Sequence, residues 1–142
     1  MPVSTTSRPG PFEWPVRVYY EDTDAGGVVY YASYLRFFER ARTEWLRSFG
    51  VTQQTLAEEH AVLFVVSKAS VDYIAPARLD DELLVSAKPA RFGRASVQFE
   101  QHALRQGTRV ASAKIAIVCV SLDGMRPVAI PPEVLAKMKN SQ

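Results

Sequence analysis

Several residue types with distinctive chemistry are scarce in this chain. Cys119 is the one cysteine among its 142 residues, so an internal disulfide is excluded, and the composition fits a reducing compartment. Cys119 lies in an apolar run, which favours a buried small side chain over a nucleophile. The two histidines, His60 and His102, lie outside the acidic motif described below. We therefore expect surface or cross-strand roles for both and not a catalytic one.

Long apolar runs and repeats are also missing. No stretch approaches the length of a membrane span, and no repeat or low-complexity block occurs. The first residues carry several prolines among Ser, Thr and Gly, without the apolar core of a secretory signal. We predict a flexible N-terminal arm over residues 1–14, a single domain over residues 15–140 and a cytoplasmic protein without a membrane span.

Charge of one sign is not in large excess. The chain has 17 Lys and Arg against 15 Asp and Glu, a formal net charge of +2. The basic residues are spread along the chain, so nothing indicates a nucleic-acid partner, whereas a small polyanionic ligand is compatible with the charge. Hydrophobic residues make up 47% of the chain, which is enough for the core of one globular domain.

Periodicity predicts one long helix over residues 33–49. Its apolar residues recur at three- and four-residue steps, and charged residues occupy the other face, where we expect them to be solvated. Gly50 ends the helix, and a second, shorter helix is predicted over residues 52–59. The apolar face consists of Tyr34, Phe38, Ala41, Trp45 and Phe49, widened by Leu35 and Leu46, and the charged face consists of Arg36, Glu39, Arg40, Arg42, Glu44 and Arg47.

Residues that favour β-structure predict five strands and an α+β fold. The last two breaks between strands are short, so strands three to five should form an antiparallel meander. The fifth strand is apolar on both faces over residues 115–120, which predicts a central strand covered by the long helix on one side and by a partner subunit on the other. The predicted strands are residues 16–20, with Pro15 at the boundary, then 62–74, 82–92, 95–104 and 108–122.

Residues 20–31 join the first strand to the long helix and concentrate the chemistry. Asp22 and Asp24 precede a glycine pair there, and glycines let another molecule approach the main chain closely. The start of the helix offers unpaired N–H groups to a carbonyl oxygen that gains negative charge. A carboxylate and such donors on either side of a carbonyl would catalyse acyl transfer. The alternative, which the residues alone leave open, is that both aspartates only hydrogen-bond the loop backbone.

Four stretches carry a resemblance to a known family. They are Thr23-Asp24-Ala25-Gly26-Gly27-Val28-Val29-Tyr30, then Tyr34-Leu35-Arg36-Phe37-Phe38-Glu39-Arg40-Ala41-Arg42, then Tyr73-Ile74-Ala75-Pro76-Ala77-Arg78-Leu79-Asp80-Asp81, and Arg126-Pro127-Val128-Ala129-Ile130-Pro131. Together they resemble the 4-hydroxybenzoyl-CoA thioesterase family, most closely its YbgC-like branch of Tol-Pal-associated acyl-CoA thioesterases. One position departs from that branch, since Tyr31 stands where the branch usually has His.

The resemblance implies a hotdog fold, in which an antiparallel sheet of about five strands is wrapped around one long helix. It also implies dimers with a continuous ten-stranded sheet, assembly into a homotetramer, and active sites at the dimer interface. The match places the catalytic carboxylate at Asp24. It makes the helix N-terminus near Tyr31 a main-chain donor to the thioester oxygen. Gly27, Val28 and Tyr31 are predicted to contact the substrate.

The activity that the resemblance implies is hydrolysis of an acyl-CoA thioester. Asp24 either attacks the carbonyl, which gives a mixed anhydride, or deprotonates the attacking water. Cationic side chains should hold the CoA phosphates, and we predict Arg91 and Arg94 for this role, with Arg105 and Arg109 as the alternatives. No metal or other cofactor is expected, because CoA is part of the substrate. Acyl carrier protein is a further partner that the family suggests.

Two rival functions and the acyl preference stay open. One rival is a module that binds acyl-CoA or acyl carrier protein without turnover, because fold does not fix function. The other is a hotdog hydratase, which usually pairs an Asp with a His at a spacing that this chain lacks. Large apolar residues near the motif either line an aromatic pocket or, as we expect, pack in the core. These residues are Tyr30, Tyr31, Phe37 and Phe64.

Overall fold

The computed structural model describes residues 11–142 of the chain. Its elements follow the predicted order of a strand, a long helix, a short helix and four strands, and a third helix follows the last strand. They are β1 (Phe12–Arg17), a 3-10 turn (Tyr20–Asp22), α1 (Ser33–Arg47), α2 (Gln53–His60), β2 (Val62–Tyr73), β3 (Glu82–Phe92), β4 (Ser96–Arg105), β5 (Thr108–Ser121) and α3 (Pro132–Asn140). The prediction of an α+β fold is confirmed.

The strands form one antiparallel sheet in the order β1-β3-β4-β5-β2. The predicted meander of β3, β4 and β5 is confirmed, and β5 is an interior strand. Ile115, Ile117 and Cys119 of β5 belong to the buried core, whereas Ala116 and Val118 between them are half-buried. Cover of that second face by a partner subunit stays a prediction.

Helix α1 packs its aromatic face on the sheet. Phe37, Phe38 and Trp45 are fully or nearly fully buried, and the Trp45 ring meets Phe99 of β4 edge-on at a centroid distance of 5.5 Å. After the helix, Gly50 takes a φ of +86°, a left-handed conformation that glycine adopts without steric cost. The helix therefore ends where the sequence predicts, within two residues.

Two residues of α1 lie on faces opposite to those predicted. Leu35 is exposed although we expected it to widen the apolar face, and Arg42 is buried although we expected it in solvent. A guanidinium is tolerated in the core only when a polar partner satisfies it. Gln101 of β4 is that partner, and a partner 59 residues away in sequence is invisible to helical periodicity.

The predicted bounds of the first strand are wrong. Strand β1 begins at Phe12, inside the predicted arm, and ends at Arg17, before the predicted end at Tyr20. Pro15 lies within the strand, opposite Leu84. Proline has no main-chain N–H to donate, but it is tolerated here because β1 is an edge strand and one of its sides pairs with no other strand. The rest of the predicted arm, residues 1–10, lies outside the described residues. In the part of the chain that the structure covers, no helix is long and apolar enough to cross a membrane.

Candidate active site

The loop between β1 and α1 folds back on itself at Asp24. The main-chain N–H of Asp24 donates to the carbonyl of Val28 at 2.9 Å, and that of Gly27 donates to the carbonyl of Asp24 at 3.1 Å. Gly27 has a φ of +81°, which a side chain would strain. Residues 24–28 therefore form a tight turn, and Asp24 is its first residue.

The carboxylate of Asp24 is held at one oxygen only. Its Oδ1 accepts hydrogen bonds from the main-chain N–H of Gly26 at 2.8 Å and, more weakly, from that of Val28 at 3.4 Å. Its Oδ2 has no hydrogen-bond partner among residues 11–142, and the side chain is exposed. The backbone-bonding role that the sequence left open is therefore real, and it leaves a fixed carboxylate with one oxygen available for chemistry.

Asp22 has the opposite role. It is buried, with 1% of its surface exposed, and its Oδ2 accepts from the N–H of Tyr19 at 2.8 Å. Its main-chain carbonyl accepts from the N–H of Tyr30 at 2.9 Å and from the hydroxyl of Ser33 at 3.2 Å. Arg36 lies 3.6 Å from the remaining carboxylate oxygen. Asp22 therefore ties both ends of the loop to the start of α1.

The start of α1 exposes main-chain donors next to this loop. The N–H groups of Ser33, Tyr34 and Leu35 already donate to carbonyls three residues earlier. The N–H groups of Tyr31 and Ala32, just before the helix, have no hydrogen-bond partner in the described chain. They lie at the positive end of the helix dipole and are suited to bind a developing oxyanion.

A cavity of about 270 Å³ lies beside these donors. Tyr73, at the end of β2, donates from its hydroxyl to the main-chain carbonyl of Tyr31 at 3.2 Å. Burial raises the pKa of Tyr34 and also that of Tyr73, so both phenols are protonated at neutral pH. The cavity thus combines an apolar wall with phenolic hydroxyls. Its lining residues are Val28, Val29, Tyr31, Tyr34, Tyr73, Ile74, Ala75 and Pro76.

The four residues proposed for an aromatic pocket separate into two groups. Phe37 and Phe64 pack in the core, as we expected. Tyr30 and Tyr31 are exposed instead, and their rings pack on each other at a centroid distance of 4.7 Å. Of the four, Tyr31 alone lines the cavity beside α1.

Within a single chain, Arg91 and Arg94 do not lie next to Asp24. Arg17, the last residue before the active-site loop, pairs with Glu82 at the start of β3, whereas Arg91 lies near the other end of the same strand. Nine residues of strand separate these positions by about 30 Å. Contacts of Arg91 and Arg94 with the CoA phosphates stay a prediction.

Two cations other than the predicted pair lie nearer to the loop, and one of them, Arg78, was not among the candidates. Arg78 forms an isolated backbone bridge with Val28, and Arg105, kept only as an alternative, donates to the carbonyl of Pro76 at 2.7 Å. Arg78 belongs to one of the stretches that carry the family resemblance, which was the available signal. Within residues 11–142 no group of three or more His, Cys, Asp and Glu side chains is placed to bind a metal ion. The expected lack of a cofactor stays a prediction.

Both histidines lie away from the loop, in the roles predicted for them. His102 of β4 shares a hydrogen bond of 2.9 Å with Ser112 on the neighbouring strand, and His60 pairs with Glu133 of α3 at 3.1 Å. Burial, and then the charge of Arg109, lowers the pKa of His102, although Glu100 opposes the shift. Neither side chain is oriented by a carboxylate in the loop.

Comparison with known proteins decides the family. The family model of the thioesterase-like superfamily matches residues 18–138, which is most of the chain. This chain belongs to the thioesterase-like superfamily. The acyl-CoA thioesterase YbgC of Haemophilus influenzae is 52% identical over 125 residues, covering 88% of this chain and 92% of that protein. The acyl-CoA thioester hydrolase YbgC of Escherichia coli is 49% identical over 129 residues, covering 90% and 96%.

Solved structures of this superfamily have the same fold. A probable thioesterase from Bartonella henselae superposes with a TM-score of 0.82 at 34% identity, covering 86% of this chain and all of that one. A 1,4-dihydroxy-2-naphthoyl-CoA thioesterase from Synechocystis superposes with a TM-score of 0.84 at 25% identity, covering 92% and 97%. The predicted hotdog fold and the predicted YbgC-like membership of the superfamily are both confirmed.

Proposed function

We propose that this member of the thioesterase-like superfamily hydrolyses acyl-CoA thioesters to a free acid and CoA. The names of its YbgC relatives support the substrate class. The observation that carries the mechanism is the free Oδ2 of Asp24, fixed in the loop that also carries the unpaired N–H groups of Tyr31 and Ala32. A nucleophile or base and an oxyanion site in one short segment are the two parts that acyl transfer needs.

Asp24 acts on the thioester carbon in one of two ways. As a nucleophile, its Oδ2 forms a bond to the carbonyl carbon, the C–S bond breaks, and CoA leaves as a thiolate before water hydrolyses the mixed anhydride. As a general base, Asp24 takes a proton from water, the resulting hydroxide attacks the carbon, and the departing thiolate receives a proton. Both routes end in the same acid and the same free CoA thiol.

The N–H groups of Tyr31 and Ala32 stabilise the oxygen that becomes negative during either route. A preorganised donor of this kind lowers the barrier by about 3 kcal/mol. Because these donors belong to the main chain, the reaction does not require a particular side chain at residue 31. The mechanism therefore tolerates Tyr31 in place of the histidine usual in the YbgC-like branch.

The working unit that we propose is a dimer formed through β2. This twelve-residue strand is an edge of the sheet in the described chain, and a long open edge is a ready surface for pairing with another strand. Apolar side chains on and beside it are exposed, including Leu35, Val66 and Ile74. Pairing two β2 strands would cover them and extend the sheet to ten strands. Sedimentation equilibrium tests this proposal, and a monomer at micromolar concentration contradicts it.

Further assembly into a homotetramer, a partnership with acyl carrier protein and a cytoplasmic location stay predictions. None of them is needed for the chemistry proposed for Asp24. Sedimentation at higher protein concentration tests the tetramer, and thioesters of acyl carrier protein offered in place of acyl-CoA test the second partner.

The deciding experiment measures CoA release. The purified protein is given short-chain, long-chain and aromatic acyl-CoAs, and the free thiol is detected with a thiol reagent. We expect release above the uncatalysed rate for at least one of the three classes. Tight binding of acyl-CoA without thiol release would instead support the non-catalytic binding module.

A further inference from the structure

Arg42 is a buried cation that the proposed reaction does not use. Only 7% of its surface is exposed, and its Nη1 donates to the side-chain oxygen of Gln101 at 2.9 Å. Burial lowers the pKa of Arg42 to about 10, although the charge of Glu39 opposes the shift. The guanidinium is therefore still protonated at neutral pH.

Most of the donors on Arg42 remain unused. A guanidinium has five N–H donors, and the bond to Gln101 is its one hydrogen bond within the described residues. No carboxylate forms a salt bridge with Arg42 in that part of the chain. The amide nitrogen of Gln101 is itself a donor, to the carbonyls of Phe38 and Ser86, and so offers Arg42 no further acceptor. The other guanidinium nitrogens of Arg42 are not among the fully buried atoms without a partner in the described chain, so an anion can reach them and accept from their unused donors.

Arg42 lines a cavity of about 250 Å³ between α1 and β2. Its apolar lining residues are Leu35, Val66, Ala69 and Ile115. Two exposed charged residues, Arg36 and Glu39, line it beside Arg42, and Glu39 forms no salt bridge with Arg42 in the described chain. The cavity is therefore shaped for an apolar chain with one buried cation at its wall.

This cavity and the cavity beside the proposed reaction centre share no lining residue, but both lie between α1 and β2, and the groove that separates these two elements is the path between them. At one end of the groove, Tyr73 of β2 packs against Tyr31 and Tyr34, with ring centroids 6.2 and 5.7 Å apart. At the other end, Val66 of the same strand and Arg42 line the second cavity. Arg42 lies nine residues after the first residue of α1, which is about 13 Å along the helix axis. An acyl chain whose carbonyl binds at the helix N-terminus and that follows this groove would reach Arg42 with its far end.

We propose that Arg42 recognises a carboxylate at the far end of the acyl group, so that the substrate class includes CoA monothioesters of dicarboxylic acids. The inference rests on the proposed thioesterase function and specifies its substrate. The planar guanidinium matches a carboxylate through paired hydrogen bonds, and the apolar walls suit the methylene chain between the two ends. Arg42 is a specificity-determining residue in this scheme and does not touch the reacting atoms.

The test compares CoA esters of equal chain length that end in a methyl group or in a carboxylate, over a series of lengths. We expect the wild-type protein to prefer the carboxylate-ended ester at some length by at least about tenfold in kcat/KM, equal to about 1.4 kcal/mol. Arg42→Leu should abolish this preference, and Arg42→Lys should retain part of it because it keeps the charge. Arg40→Leu, an exposed arginine on the same helix, is the matched control and should keep the wild-type ratio.

Three results overturn the inference. In the first, the wild-type protein shows no preference at any chain length. In the second, Arg42→Leu keeps the wild-type ratio of kcat/KM for the two esters. In the third, Arg42→Leu dissociates in sedimentation and loses activity on both esters equally. Should Arg42→Leu fail to fold, calorimetry of wild-type protein with non-hydrolysable thioether analogues of the two esters still decides the question. If no ester is hydrolysed but the carboxylate-ended analogue binds more tightly, the proposed reaction fails and this inference stands. If hydrolysis proceeds without a preference for either ester, the proposed reaction stands and this inference fails.

Discussion

The guanidinium of Arg42 and the side-chain oxygen of Gln101 lie 2.9 Å apart in the core, where α1 packs on β4. Gln101 is fully buried, and its amide nitrogen also donates to the carbonyl of Phe38 in the helix and to that of Ser86 in β3. One side chain therefore bonds the helix to two strands. Satisfied buried networks of this kind fix the relative position of the elements that they join.

Gln101→Leu should destabilise the protein strongly. The change leaves the Arg42 guanidinium and two main-chain carbonyls without their partner, and a buried group left unpaired costs about 1–3 kcal/mol. We expect the free energy of unfolding to fall by about 3 kcal/mol or more in urea denaturation. Gln98→Leu, an exposed position on the other face of β4, is the control, and an equal loss in both variants would contradict the role of the network.

Asp24→Asn should remove most of the hydrolytic activity. The amide keeps the shape of the side chain but neither attacks the thioester nor accepts a proton, so we expect kcat to fall about 100- to 10,000-fold. Thiol release from the best acyl-CoA substrate measures the effect. Asp123→Asn, an exposed aspartate in the loop after β5, should retain the wild-type rate. Wild-type turnover in Asp24→Asn would exclude the catalytic role.

Asp22→Ala should lower both stability and turnover. The N–H of Tyr19 loses its acceptor and Arg36 loses its ion-pair partner, which we expect to cost about 2 kcal/mol in thermal or urea unfolding. Turnover should fall as well, because Asp22 ties the loop that carries Asp24 to the start of α1. Glu21→Ala, the exposed neighbour, serves as the comparison. Full activity in a destabilised Asp22→Ala protein would show that the loop keeps its geometry without this tie.

Acid should destabilise the protein partly through His102. Burial and Arg109 lower its pKa in the folded state, so the unfolded chain binds the proton more readily. The contribution to stability is present above the ordinary histidine value of about 6.5 and is lost as the pH falls through that value toward the folded-state pKa. Urea unfolding at about pH 7.5 and 5.5 should show a smaller loss for His102→Gln than for the wild-type protein. Equal losses would assign the acid sensitivity to other groups.

Charge reversal separates the two sets of candidate phosphate contacts. If Arg78, beside the active-site loop, holds a CoA phosphate, Arg78→Glu should raise KM for acyl-CoA by about tenfold with little change for a short thioester without CoA. The double variant Arg91→Glu with Arg94→Glu should raise KM for acyl-CoA in the same way only if those residues contact CoA. Steady-state kinetics with both substrates decide, and an unchanged KM removes the altered residues from the site.

Much of the fold was readable from local sequence patterns. Strand β3 has the predicted bounds, and α1 begins at Ser33 as predicted. These elements combine strong periodicity with clear turn residues, and both signals act over a few neighbouring positions. The start of β1 was not readable, because Phe12 and Trp14 become strand only by pairing with β3, which lies far along the chain.

The sequence by itself determined the order of the elements and the family, and it indicated the loop in which we propose the chemistry, because each depends on residues adjacent in the chain. Only the tertiary structure decided which of two similar aspartates is buried and which is exposed. Asp22 is enclosed by Tyr19, Ser33 and Arg36, whereas Asp24 stays open to solvent. It also decided that Arg42 belongs to the interior. The burial of a charge depends on partners that distant segments supply, and folding alone brings those segments together.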